Sequence, residues 1–232
     1  MNNIFSTQFR QILLLVDQHL TTQDKERFRF YCSSFLPKSV KSMLEIFEVL
    51  EDQHVISYQD VKLLKEFSIT IGRNDVAKLL AEYETRVSLK MIIYGYLDFR
   101  SGCRNVKSPM LLTTDCVSKH LVNGGSHSHD RVKVVVKKLH GTFALKFAFG
   151  NFIDKCFPIS TEKYRWNDVL DVIQICAEFV YLRWMYMRNF KQMMSDIEEV
   201  VEDVLRIRIV PWMMKNGGMS GCYSVVAPVQ NW

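Results

Sequence analysis

Apolar side chains recur at helical spacing through the first third of the chain. They form four runs: Phe9, Ile12, Leu13, Val16 and Leu20; Phe28, Cys32, Phe35 and Leu36; Leu44, Phe47 and Leu50; and Val61, Leu64 and Phe67. Intervals of three and four residues place each run on one stripe of an α-helix. Polar breaks separate the runs. The stretch Thr21-Thr22-Gln23-Asp24 offers an N-cap hydroxyl ahead of the second, Pro37 ends it, Ser57 and Asp60 have the spacing of a capping box, and Gly72 lets one helix stop and the next begin. No period-two run of β-branched residues interrupts the series. The pattern predicts an all-α bundle of six short helices over residues 1–86.

A second module is predicted over residues 87–232. The join, residues 76–99, has no Pro/Gly/Ser-rich linker, so the last helix of the first bundle is expected to run into, or stack on, the first helix of the next. Residues 103–130 hold Pro109, Thr113, Thr114, Gly124 and Gly125 without a sustained apolar period, which reads as a long, mobile loop. Amphipathic segments follow at 131–157, 166–187 and 189–210. The segment opening at Trp166 is apolar on most of its circumference, as expected for the centre of a bundle. With its successor it predicts a central hydrophobic hairpin. The successor ends in Pro-Trp-Met-Met-Lys-Asn-Gly-Gly, where Pro211 can open a helical turn and Asn216, Gly217 and Gly218 can close it.

Composition narrows the function. The 232 residues are 48% hydrophobic and 24% charged, enough apolar material for two real cores. The net charge of +5 is dispersed along the chain, so no nucleic-acid surface is expected. The six cysteines include no Cys-x-x-Cys pair, several lie in apolar helical patterns, and the N-terminus lacks a secretory signal, which together predict a reduced, cytoplasmic protein. The most apolar stretch, 169–187, contains Asp171, Glu178 and Arg183, and no apolar tail follows Val226, so no permanent membrane anchor is expected. Cys116, His120, His127 and His129 match no structural zinc spacing. Cys176 sits mid-helix among isoleucines, where a thiol is inert, and no catalytic motif stands elsewhere; neither enzyme activity, cofactor nor metal is expected.

Two stretches carry a resemblance. Leu-Thr-Thr-Gln-Asp-Lys-Glu-Arg-Phe-Arg-Phe-Tyr-Cys, beginning at Leu20, and Ile-Gly-Arg-Asn-Asp-Val-Ala-Lys-Leu-Leu, beginning at Ile71, resemble a death effector domain covering residues 5–85. The resemblance implies a charge triad of Asp24, Arg73 and Asp75, and a hydrophobic interaction patch at Phe30 and Tyr31. In that family the patch is Phe-Leu, and Val76 here replaces the leucine of Arg-x-Asp-Leu. A guanidinium between two carboxylates is a charge-assisted network that can orient a surface.

The close of the chain is similar to the Bcl-2 family over residues 88–226. Trp212, Asn216, Gly217 and Gly218 match its second homology motif, Trp166 its first, and Leu139 and Gly141 its third. The arginine of the first motif corresponds to Asp168, and the aspartate of the third to Thr142, so both ends of the family's usual ion pair are missing. The resemblances together imply a non-enzymatic regulator of apoptosis. Its partners would be death effector domain proteins, such as adaptors and initiator caspases, with Bcl-2 family members as further partners. An alternative is an adaptor or decoy in which the Bcl-2-like module is only a scaffold and binds no helical ligand.

Overall fold

The computed structural model describes residues 2–101, 117, 119, 121–122, 134, 145–156, 164–187 and 200–226. By backbone contacts the chain divides into two compact units, Met1–Val87 and Ser88–Trp232. Among the described residues the regular elements are all helical.

The first unit holds α1 (Asn2–His19), α2 (Thr22–Tyr31), α3 (Met43–Asp52), α4 (Lys62–Thr70) and the opening turns of α5 (Asn74–Ser101). These are five helices rather than the expected six. Residues 33–42 form turns and irregular backbone, because α2 stops at its C-cap Cys32 and the ten residues to Ser42 include four serines and Pro37. Phe35, expected on the inward stripe, consequently lies in a turn and is exposed.

The core is made by the expected stripes of α1 and α4, together with Phe28, Cys32, Ile46, Phe47, Leu50, Val76 and Leu80, all at most 6% exposed. Phe28 sits at its centre, 4.8 Å from the Phe67 ring and 6.0 Å from that of Phe47. Leu44 is exposed instead of inward; Met43 takes the buried place, one step round the helix.

Caps fix the helix starts. Thr21 and Asp24 form a reciprocal capping box at α2, and Ser42 and Glu45 form another at α3. Ser57 and Asp60 do not cap a helix as a box: they close a turn on each other through paired backbone hydrogen bonds of 2.9 and 3.1 Å. Asp60 Oδ1 then accepts from the Lys62 N–H at 3.0 Å. Gly72, at φ +77°, makes the left-handed step between α4 and α5 that a side chain would strain.

The second unit contains the remainder of α5, then α6 (Leu145–Cys156) and α7 (Trp166–Met187). After these come α8 (Glu202–Val204), a π-helical turn (Leu205–Ile209), α9 (Val210–Lys215) and α10 (Gly218–Val226). Pro211 stands in the first turn of α9, as expected. It sits just after the π turn in a continuous helical run, and the wider turn accommodates a residue that has no N–H to donate and crowds the carbonyl four residues back. Within the stretch expected to be a loop, Val117, Lys119, Leu121 and Val122 are helical, with Val117 and Leu121 buried. Their four-residue spacing was the signal; the Leu121 carbonyl accepts from Gln174 Nε2 at 2.8 Å.

α7 is buried nearly all round, and its ionised side chains explain how it remains a core helix. Glu178, 0% exposed, accepts from Tyr96 Oη and pairs with Arg100 at 3.1 Å, while Arg100 also lies over the Tyr181 ring at 5.1 Å. A second internal pair joins Lys90 to Glu202 at 2.7 Å. No helix among the described residues is long and apolar enough to cross a membrane.

Candidate functional site

α2 presents two opposite faces because about 100° separates successive residues of a helix. Phe28 is fully buried. Phe30 lies about 200° round from it and Tyr31 about 300°, so one should face away and the other stand at the margin. The structure agrees: Phe30 is 83% exposed and Tyr31 42%. The Tyr31 ring leans on Phe67 with centroids 5.4 Å apart. The two aromatics and Phe67, Thr70 and Ile71 line an open, largely apolar recess of about 400 Å³, with Glu26 and Arg27 at its margin. An exposed phenyl group beside such a recess is the kind of anchor and hollow that protein interfaces use.

Arg73 stands at the start of α5 and is held from two sides. Its Nε and Nη2 donate to the two carboxylate oxygens of Asp75 at 2.9 and 2.7 Å, and Nη1 donates to Asp24 Oδ2 at 2.9 Å. The bidentate fork fixes the guanidinium plane, and the Asp24 bond ties α5 to α2. Asp24 Oδ2 also accepts from the Thr21 hydroxyl at 2.8 Å and the Thr21 N–H at 3.1 Å. One carboxylate oxygen thus joins the α2 cap to the clamp on α5.

The electrostatics follow the geometry. Burial pushes the Asp24 carboxyl up, but the Thr21 hydroxyl, the Thr21 N–H and Arg73 outweigh it and leave the group below the ordinary range. The hydrogen bonds from Arg73 bring Asp75 down to about 2. Arg73 is held further toward its charged form, first by Asp75 and then by Asp24. At neutral pH the cluster is one cation between two anions.

The sequence reading named Asp24, Arg73, Asp75, Phe30 and Tyr31, and the structure places all five on α2 and the start of α5. It missed Thr21 as a member of the cluster, since the polar stretch 21–24 by itself offers only an N-cap hydroxyl. It also missed Phe67 and Ile71 as walls of the recess. No periodicity could reveal these, because Phe67 serves the core with one face and the recess with the other.

In the second unit, the rings of Trp166 and Trp212 meet edge to face at 4.9 Å. Asn216 Nδ2 donates to the Trp212 carbonyl at 2.8 Å, and Gly217 and Gly218 take φ of +91° and +59° between α9 and α10. Asp168 caps the first turn of α7, its Oδ2 accepting from the Arg165 N–H at 2.8 Å. Leu139, Gly141 and Thr142 lie outside the described residues, as do Cys116, His120, His127 and His129.

Burial pushes the thiols of Cys32, Cys176 and Cys222 up to about 12, and no group of metal-binding side chains occurs among the described residues.

Residues 9–86 match the family model of the Death effector domain. The match covers the first unit almost entirely and ends at its border with the second. Domains of this kind are protein-interaction modules of the death-domain superfamily, used in apoptosis signalling through homotypic contacts. No curated protein and no solved structure matches the chain.

Proposed function

We propose that this protein is a non-enzymatic regulator of apoptosis that docks onto other death effector domains through the α2 face. The single observation that carries this reading is the exposed Phe30 beside the Tyr31 recess, next to an Arg73 clamped by Asp24 and Asp75. The aromatics supply apolar area. The clamp holds α2 and α5 in one relative position, so the surface is formed before a partner arrives and less ordering entropy is lost on binding. Adaptors and initiator caspases that carry death effector domains are the proposed partners, in the cytoplasm.

The test uses the full chain in co-precipitation with a death effector domain partner. Phe30→Asp places a charge at the centre of the contact and is expected to abolish capture; Arg73→Glu is expected to do the same by repelling both carboxylates. Undiminished capture by either variant, soluble and with unchanged helical circular dichroism, would refute the assignment.

The second unit is proposed to be a divergent Bcl-2-like module. The Trp166–Trp212 contact and the Asn216-Gly217-Gly218 close support that reading. One observation favours its use as a scaffold rather than as a receptor for aspartate-bearing helices at the first motif. Asp168 is engaged with the Arg165 backbone and offers no cation there. Asp168→Arg is expected to increase binding of such a helix to the full chain; an unchanged titration would show that this position does not face a ligand.

A further inference from the structure

Arg27 and Tyr31 stand one helical turn apart on α2, with about 40° of rotation between them, so they are neighbours on one ridge. Both are exposed, and both line the open recess beside Phe30. Helical side chains lean toward the N-terminus of their helix, which carries Tyr31 back over the turn from which Arg27 projects. The Tyr31 ring is fixed by its packing on Phe67, with centroids 5.4 Å apart, so its hydroxyl is held at the recess.

The polar groups of this ridge are both donors. A guanidinium offers only N–H donors, and a phenol offers its O–H. Other charged residues of α2 are engaged within the fold: Asp24 holds Arg73, Lys25 pairs with Asp17 at 2.7 Å, and Arg29 donates to the Lys41 carbonyl. Residues 5–97 are described without a break in the backbone, and among the described residues Arg27 and Tyr31 make neither an ion pair nor a hydrogen bond. Glu26, the acidic residue at the margin, is about 140° round the helix from Tyr31 and one turn before Phe30, so it borders the other side of the phenyl group.

A partner that packs on Phe30 covers the recess and takes water away from the Tyr31 hydroxyl. A polar group so covered weakens binding unless the partner supplies its hydrogen bond. The Phe-Leu pair of the family carries no such requirement, because apolar contact alone satisfies a leucine.

The geometry points to a carboxylate as the group that the partner presents here: an aspartate or glutamate side chain of the docking death effector domain, accepting from the Tyr31 hydroxyl and, with charge assistance, from Arg27. A neutral acceptor would serve the hydroxyl alone; a carboxylate serves both donors. The inference rests on the α2-face reading and adds a selection to it. Among domains that can receive Phe30, those with an acidic side chain opposite Tyr31 are preferred.

The test titrates the full chain with the death effector domain of an adaptor that it captures. Tyr31→Phe keeps the ring against Phe67 and removes only the hydroxyl, and the Kd is expected to rise about five-fold or more. Arg27→Gln is expected to raise it about three-fold or more and to flatten its dependence on salt. In the adaptor domain, each exposed acidic residue is changed in turn to its amide. One of these changes is expected to cost about five-fold or more against the wild-type chain and about two-fold or less against Tyr31→Phe. Binding by Tyr31→Phe or Arg27→Gln as tight as wild type, or the lack of any amide variant whose effect depends on Tyr31, overturns the inference. Phe30→Asp separates it from the reading beneath it. If Phe30→Asp abolishes binding and Tyr31→Phe leaves it intact, the acidic partner falls while the α2 face stands; if Phe30→Asp binds undiminished, both fall.

Discussion

Asp24 shows how much one side chain decides at the residue scale. Its Oδ2 serves the Thr21 cap and the Arg73 clamp together, so Thr21→Val removes a capping hydroxyl and one of the bonds that hold the carboxylate in place. A cost of about 0.5 to 2 kcal/mol is expected for loss of the cap, measurable by denaturant unfolding. Asp75 gives a pH test. Its folded value of about 2 lies below the roughly 3.9 of an unfolded aspartate, so its contribution is complete above pH ~4 and is lost as pH falls toward 2. The carboxyl resonance of Asp75 should therefore titrate near 2 in the wild type, and Arg73→Met should move the midpoint up toward the ordinary range. The cysteines give a third. With their thiols pushed up to about 12 by burial, Cys32, Cys176 and Cys222 should resist alkylation in the native protein at neutral pH and react only after denaturation, as mass spectrometry of labelled peptides would show.

At the scale of elements, two glycines in the second unit act in opposite senses. A methyl group on Gly150 would have open space, so Gly150→Ala should stabilise α6 by about 0.5 to 1 kcal/mol, measurable by thermal unfolding. At Gly221 the same change would drive Cβ into the Trp166 ring and the Asn216 carbonyl oxygen. Backbone lies on one side, so relief requires α10 to shift, and Gly221→Ala should cost about 1 to 3 kcal/mol in thermal or chemical unfolding. The helices themselves were legible where apolar residues recur over several turns: α7 has the predicted bounds, and the α1 stripe from Phe9 to Leu20 is buried as read. Short segments were less legible. Phe35 and Leu44 fit the period, but periodicity states only which residues could share a face. A chain turn after Cys32 and a shift of one position in α3 put both side chains in water.

Across the whole molecule, the two units use different kinds of interior. The first is built mainly from aliphatic and aromatic side chains, with its ionised cluster at the margin where Asp24 is buried and Asp75 exposed, whereas the second carries Glu178 and Lys90 inside. Arg100→Met would remove the guanidinium 3.1 Å from the buried Glu178 carboxylate, and a loss of about 3 to 5 kcal/mol is expected from denaturant unfolding followed at second-unit amides. The sequence by itself determined the helical class, the stripes of the long helices, a cap within residues 21–24 and the residues of the Arg73 clamp, because these depend on spacings within a few turns or on a motif read as a unit. Only the tertiary structure decided that Asp24 Oδ2 is shared between cap and clamp, that Phe67 walls a recess, that Glu178 meets Tyr96 and Arg100, and that Asp154 pairs with Arg208. Each of these joins residues far apart in the chain, and burial of a charge or an aromatic edge depends on what packs against it from elsewhere, which no local period encodes.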